Sequence, residues 1–166
     1  MTDFIKIPSK FRNVLMKKQH IREKFEKETK TKLKLNEEIE IEGDSINTYI
    51  AKNILRAFGR GISMDDALLL LNDEYVLEVI DLKEFANTEN RLRTIRGRLI
   101  GTNGKTKKFI EKYTNTKIAI SGKTASILGK WNDVPLAKEA VLMIIRGSTH
   151  STLYRWLEQK TKVVKW

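Results

Sequence analysis

Apolar and polar positions along the chain predict short strands and helices in a recurring order. Residues 91–95 alternate charged and apolar side chains, as a half-buried strand does, and the apolar pair Leu99-Ile100 precedes Gly101-Thr102-Asn103-Gly104. A helix is expected after the second glycine. Over residues 105–113, Phe109, Ile110 and Tyr113 share one face while Lys105, Lys108 and Lys112 form a basic stripe on another. Residues 117–121 alternate as a strand, Gly122-Lys123 turns, and 124–128 return as a second strand. Asp133 can cap a final helix, with Pro135 tolerated in its first turn; Val134, Ala137, Val141, Ile144 and Ile145 supply its buried stripe and Gly147 stops it.

The first third reads likewise: strand 3–7, short helix 11–15, loop, helix 21–29, strands 32–35 and 38–42, then a helix from a cap at Asp44 or Ser45 to Gly59. Sliding the chain against itself by 85 positions aligns Glu26-Lys27-Glu28-Thr29-Lys30-Thr31-Lys32 with Glu111-Lys112-Tyr113-Thr114-Asn115-Thr116-Lys117, identical at five of seven places. The match extends without a gap, setting Leu15 on Ile100, Phe25 on Ile110, Leu33 on Ile118 and Leu35 on Ile120. Two copies of one small module are the natural explanation. Between them Ser63 and Asp66 make a capping-box-like start to an apolar helix at 67–71, and residues 75–80 read as an additional strand. Residues 85–90 are the expected boundary, and 151–159 suggest a C-terminal helix. The expected architecture is α+β: two tandem β-α-α-β-β-α modules, residues 1–86 and 87–166, each a three-stranded sheet packed on helices, with an extra helix and strand between them.

Charge is distributed in blocks. Residues 1–36 hold 11 basic and 4 acidic side chains, 37–90 hold 4 and 13, and 91–166 hold 17 and 4, for a net +11. Separated positive blocks raise the local concentration of polyanions and release their counterions on contact. Nucleic acid is the first partner to test, against the blander reading of a solvated basic surface. With no cysteine and only His20 and His150 as imidazoles, disulfides, thiol nucleophiles and cysteine-based metal sites are excluded. No run approaches the roughly 18 apolar residues of a membrane span, and residues 1–10 lack a secretory stretch; a cytoplasmic protein without a membrane partner is expected.

The order strand, helix, Gly-x-x-Gly, helix, strand, strand, helix resembles a type I KH module, and Leu99-Ile100-Gly101-Thr102-Asn103-Gly104-Lys105-Thr106 resembles its signature loop. More specifically, Ala57-Phe58-Gly59-Arg60-Gly61, the apolar 67–71, Glu74-Tyr75-Val76-Leu77-Glu78-Val79-Ile80-Asp81 and Gly147-Ser148-Thr149-His150 leading to Tyr154 are similar to an archaeal two-KH small-subunit rRNA-processing factor family. Eukaryotic members of that family partner the endonuclease that matures the rRNA 3′ end. The resemblance implies a ribosome-assembly factor that binds single-stranded RNA, the 3′ end of 16S rRNA, with the maturation nuclease or a translation factor as protein partners.

In KH modules this loop clamps about four nucleotides. Two glycines let the backbone approach a phosphate, and the start of the next helix favours an anion. By that likeness Gly101, Thr102, Asn103 and Gly104 form the clamp, Arg96, Arg98, Lys105 and Lys108 meet phosphates, and Leu99, Ile100 and Ile118 or Ile120 offer apolar surface to bases unless they belong to the core. An ordinary helix-turn-helix bend is the competing reading of the glycines. In the first copy Met16-Lys17-Lys18-Gln19 replaces the loop position for position; both glycines are gone, and Lys17 and Lys18 are expected to touch RNA weakly. An adaptor that uses the pair mainly for protein docking is the alternative, with the acidic 65–78 region as a surface for a basic protein or merely a solubilising face. No enzyme is expected. Gly104-Lys105-Thr106 matches the end of a Walker A loop, but Leu99 stands where its first glycine is needed. Neither histidine has an acidic partner by spacing, and no cofactor or metal motif is present.

Overall fold

The structure is a computed structural model and describes residues 1–164. The chain divides into two compact units at Tyr75/Val76. The first runs β1 (Thr2–Ile5), α1 (Ser9–Lys17), α2 (Gln19–Thr29), β2 (Lys32–Leu35), β3 (Ile39–Glu42), α3 (Ser45–Gly59) and α4 (Met64–Ala67), the last continued by a 3₁₀ turn, Leu68–Leu71. The second runs β4 (Tyr75–Asp81), α5 (Glu89–Ile100), α6 (Lys105–Thr114), β5 (Lys117–Ser121), β6 (Thr124–Lys130), α7 (Val134–Ile145) and α8 (His150–Val164). Each unit holds one three-stranded sheet, ordered β1-β3-β2 and β4-β6-β5. The expected modules are therefore present, each β-α-α-β-β-α.

Three expectations are corrected. Residues 91–95 are helical, inside α5. The segment reads Arg-Leu-Arg-Thr-Ile, so its apolar residues stand three apart, and the buried Leu92, Ile95 and Leu99 recur at helical spacing; Thr88 caps the helix by accepting from the Arg91 N–H at 3.1 Å. The supposed extra strand is the second sheet's own first strand, β4, paired beside β6. The boundary consequently falls at 75/76 and not 86/87: Leu82 donates its N–H to the Lys123 carbonyl at 2.8 Å, and Leu82 and Ala86 are part of the second core. Asp133 sits at the start of α7 without a side-chain cap bond, whereas Ser63 caps α4 through the Asp66 N–H at 3.2 Å.

The core of the first unit is built from Leu15, Phe25, Ile39, Ile41, Ile54 and Leu55, all with no exposure. In the second, Leu82, Leu99, Ile110, Ile127 and Ile144 take the same role. The seven-residue repeat has a structural cause. Glu26 accepts the Leu33 N–H and Glu111 accepts the Ile118 N–H, both at 2.8 Å. The hydroxyls of Thr29 and Thr31 lie 2.7 Å apart and those of Thr114 and Thr116 2.8 Å apart, all four buried. Thr29 and Thr114 also donate to the carbonyls of Phe25 and Ile110. These bonds tie the end of the second helix of each module to its edge strand. They satisfy polar groups whose burial would otherwise be costly, which explains why Glu26, Thr29 and Thr31 recur as Glu111, Thr114 and Thr116.

Candidate nucleic-acid interface

The loop between α5 and α6 is built by three residues with positive φ: Gly101 (+75°), Asn103 (+56°) and Gly104 (+75°). Gly101 cannot be replaced cheaply. A Cβ there would lie 2.3 Å from Thr106 Oγ1 and 2.8 Å from the Thr106 backbone nitrogen, in addition to the left-handed backbone that favours glycine. The turn closes on itself through Gly101 N–H to the Gly97 carbonyl at 2.9 Å and Gly104 N–H to the Gly101 carbonyl at 3.1 Å. Thr102, Asn103, Lys105 and Lys108 are exposed around it. No side chain caps the first turn of α6, so its N-terminus retains the partial positive charge that favours an anion.

The other expected site residues divide. Ile100 is 37% exposed beside the loop, and Ile120 is half-buried against the core. Leu99 and Ile118 are core residues, 1% and 4% exposed, and present no surface to a base. The arginines are engaged by the protein itself. Arg96 donates to the Gly122 carbonyl at 2.8 Å and pairs with Glu89 at 3.4 Å. Arg98 donates to the carbonyls of Ile144, at 2.6 Å, and Ser148, where cations satisfy the end of a helix. Of the four cations expected at the loop, Lys105 and Lys108 are thus the exposed ones. Their exposure follows from the three-residue spacing that was visible in the sequence.

In the first unit Lys18 alone joins α1 to α2, and Lys17 and Lys18 are exposed. The position-for-position alignment fails here: Leu15 is fully buried while its expected counterpart Ile100 is exposed, and Leu99 holds the core place instead. A groove of ≈ 660 Å³ remains, lined among others by Lys6, Arg12, Met16, Leu35 and Asn36.

Sequence reasoning singled out Thr106, His150 and Tyr154 by family likeness but did not bring them together beneath the loop. The hydroxyls of Thr106 and Tyr154 lie 3.1 Å apart, and His150 Nε2 donates to the Arg98 carbonyl at 3.0 Å. Phe109 stacks on Tyr113, at 4.4 Å between centroids, and packs at a tilt against Tyr154, at 4.1 Å. The four-residue spacing of His150 and Tyr154 was the available signal. Among the described residues no group of three His, Asp or Glu side chains is arranged to hold a metal, and no helix is long and apolar enough to cross a membrane.

Fold and loop together define a protein of two type I KH modules, of which the second carries an intact Gly-x-x-Gly loop. Residues 76–162 match the second KH domain of PNO1, described as a eukaryotic-type KH domain of type I. The chain is 37% identical to the KH domain-containing protein MJ0443 of Methanocaldococcus jannaschii, over 98% of this chain and 75% of that one. It is 37% identical to the pre-rRNA-processing protein pno1 of Aspergillus fumigatus over 62% of this chain, a match spanning 42% of the fungal protein. Among solved structures, Dim2p from Pyrococcus horikoshii superposes with a TM-score of 0.86 at 34% identity, covering 96% of this chain and 99% of that one. A second P. horikoshii structure, of an a/eIF2alpha-aDim2p-rRNA complex, gives a TM-score of 0.87 at 34% identity, covering 98% of this chain and 94% of the matched one. The chain belongs to the PNO1/Dim2 family.

Proposed function

We propose that this protein is a ribosome-assembly factor whose second module clamps the single-stranded 3′ region of 16S rRNA and holds it for processing, without catalysing a reaction itself. The observation that carries the reading is the conformation of Gly101-Thr102-Asn103-Gly104: an exposed, glycine-built backbone at an uncapped helix N-terminus, flanked by Lys105 and Lys108. A phosphate can approach such a backbone closely and meets a favourable field there. The rRNA in the complex of the P. horikoshii neighbour and the pre-rRNA-processing names of the fungal relatives support the choice of RNA. Positioning needs no general base. His150 is engaged with a backbone carbonyl and serves the fold. Presentation of a flexible strand to a maturation nuclease would act by orientation, which can be worth roughly 7–11 kcal/mol in favourable cases.

The test is a pair of double substitutions. Thr102→Asp with Asn103→Asp puts two carboxylates where phosphate should lie while leaving both glycines in place. Binding of an oligoribonucleotide carrying the 16S rRNA 3′ end should collapse with the unfolding midpoint unchanged. Lys17→Asp with Lys18→Asp should cost less, because the single-residue joint at Lys18 offers no glycine backbone to a phosphate. Equal losses at both sites would sink the asymmetric clamp, and cleavage of RNA by this protein alone would overturn the non-catalytic reading.

One observation favours a second reading. The P. horikoshii neighbour occurs with a/eIF2alpha as well as rRNA, and the first module, whose α1–α2 joint lacks glycine, keeps an open groove. A docking role for that module, toward a translation factor or the nuclease, predicts partner binding that survives the Thr102 and Asn103 substitutions.

A further inference from the structure

The RNA-facing loop is held from beneath by the C-terminal helix. Four groups anchor its two arms. On the α5 arm, the Arg98 guanidinium reaches the carbonyls of Ile144 and Ser148, at the end of α7 and just before α8. His150, the first residue of α8, returns a bond to the Arg98 carbonyl at 3.0 Å, one of the acceptors that a helix end leaves without an intrahelical partner. On the α6 arm, the hydroxyls of Tyr154 and Thr106 lie 3.1 Å apart. Thr106 is 1% exposed and fills the space directly against Gly101, where a Cβ would come within 2.3 Å of its hydroxyl. The Tyr154 ring is further seated on Phe109 of α6, 4.1 Å between centroids. His150 and Tyr154 are four residues apart and so lie on one face of α8. Between these anchors, the bonds that close the turn are local, Gly101 to Gly97 and Gly104 to Gly101.

We propose that α8 is a brace that sets the separation of α5 and α6 and thereby the geometry of the 101–104 clamp, with Tyr154, acting through Thr106, and His150 as positioning residues. The inference deepens the reading of the loop as an RNA clamp and rests on it for its consequence. The brace itself is a property of the free protein. A loop held at both arms presents its backbone in the bound form beforehand, so less ordering opposes binding. Loss of a brace bond leaves the core intact and loosens the loop alone.

The experiment uses the full chain with Tyr154→Phe, Thr106→Val, both together, and Thr106→Ser. The valine keeps the shape of the threonine and removes its hydroxyl, whereas the serine keeps the hydroxyl. Two quantities are read: amide hydrogen exchange at Gly104 and Ile127 in the free protein, and affinity for the 16S 3′-end oligoribonucleotide. One net hydrogen bond corresponds to roughly a 2- to 10-fold effect. Tyr154→Phe and Thr106→Val should each weaken RNA binding by about that factor and speed exchange at Gly104 with Ile127 unchanged. The double variant should be no worse than either single one, and Thr106→Ser should behave as wild type.

Unchanged Gly104 exchange in both single variants overturns the brace, whether or not RNA binds. Faster Gly104 exchange in the two variants, with a wild-type protein that fails to bind the oligonucleotide at all, would overturn the clamp reading while leaving the brace intact. If Tyr154→Phe also speeds Ile127, its effect is global, and the Thr106→Val and Thr106→Ser pair decides. Strict additivity of the two substitutions overturns the claim that Tyr154 acts through Thr106.

Discussion

Arg12 and Arg96 perform the same task in the two modules. Each donates from Nη1 to a backbone carbonyl in the turn between its module's last two strands, Arg12 to Glu37 at 3.2 Å and Arg96 to Gly122 at 2.8 Å. The arginines stand 84 residues apart and the carbonyls 85. The buried Leu15 and Leu99 are also 84 apart, while Phe25 and Ile110 are 85 apart. The extra residue of the second module therefore lies between its first two helices, in the glycine loop. The duplicated scaffold is preserved on both sides of that loop, and the difference between the modules is concentrated where RNA would be held.

Salt dependence should separate working charges from scaffold charges. Binding of the 16S 3′-end oligoribonucleotide should weaken with log salt at about −0.7 per phosphate neutralised. Lys105→Ala and Lys108→Ala should each flatten that slope by roughly this amount. Arg98→Ala should leave the slope unchanged and lower the unfolding midpoint, because its donors are bound to the carbonyls of Ile144 and Ser148. A flattened slope in the Arg98 variant would return that side chain to the RNA surface.

Three glycines should respond differently to alanine. Gly97 lies within α5 with open space at its Cβ position, so Gly97→Ala should stabilise by about 0.5–1 kcal/mol. Gly104 has φ +75° but open surroundings except for Lys108 Cε at 3.7 Å; its alanine variant should cost about 1–2 kcal/mol from backbone conformation alone. Gly101→Ala adds a collision with Thr106 to the same backbone conformation and should be the worst of the three. Denaturant midpoints rank them, and a Gly101 variant as stable as the Gly104 variant would contradict the close approach.

The duplicated carboxylates should be duplicated in energy. Glu26 and Glu111 each accept the N–H of an edge strand at 2.8 Å, with side chains 14% and 21% exposed. Glu26→Ala and Glu111→Ala should each destabilise their own module by about 1–2 kcal/mol, since a bond to a charged acceptor is worth more than a neutral one and partial exposure reduces it. Hydrogen exchange resolved by module reads this, and a loss confined to one of the two would break the symmetry.

Acid should remove a small contribution at the amino terminus. The Asp3 carboxylate accepts from the Phe4 N–H at 2.8 Å and from Lys52 at 3.2 Å, which together hold its carboxyl below the usual carboxylate range. Its contribution is complete above the ordinary carboxylate pKa and disappears as pH falls through the lowered one. Asp3→Asn should therefore lie slightly below wild type in thermal midpoint at pH 7 and coincide with it near pH 2. A gap that persists in acid would point to packing instead of charge.

The sequence by itself determined the two modules, their shared element order, the intact and absent glycine pairs, and the basic stripe of Lys105 and Lys108. These follow from local chemistry: hydrophobic period, glycine at a turn, and like residues recurring at a fixed offset. Tertiary structure decided the rest. Five residues, 91–95, are too few to fix a period, and their helix shows only with Leu99 included, when Leu92, Ile95 and Leu99 line one face against the second core. The 75–81 strand acquired its module only by pairing beside β6. Arg98 is a plausible phosphate ligand until the end of α7 arrives beside it, 46 residues later in the chain. Tyr154 and Thr106, 48 residues apart, meet for the same reason: a side chain's partner across such a distance is set by packing, which no local pattern encodes.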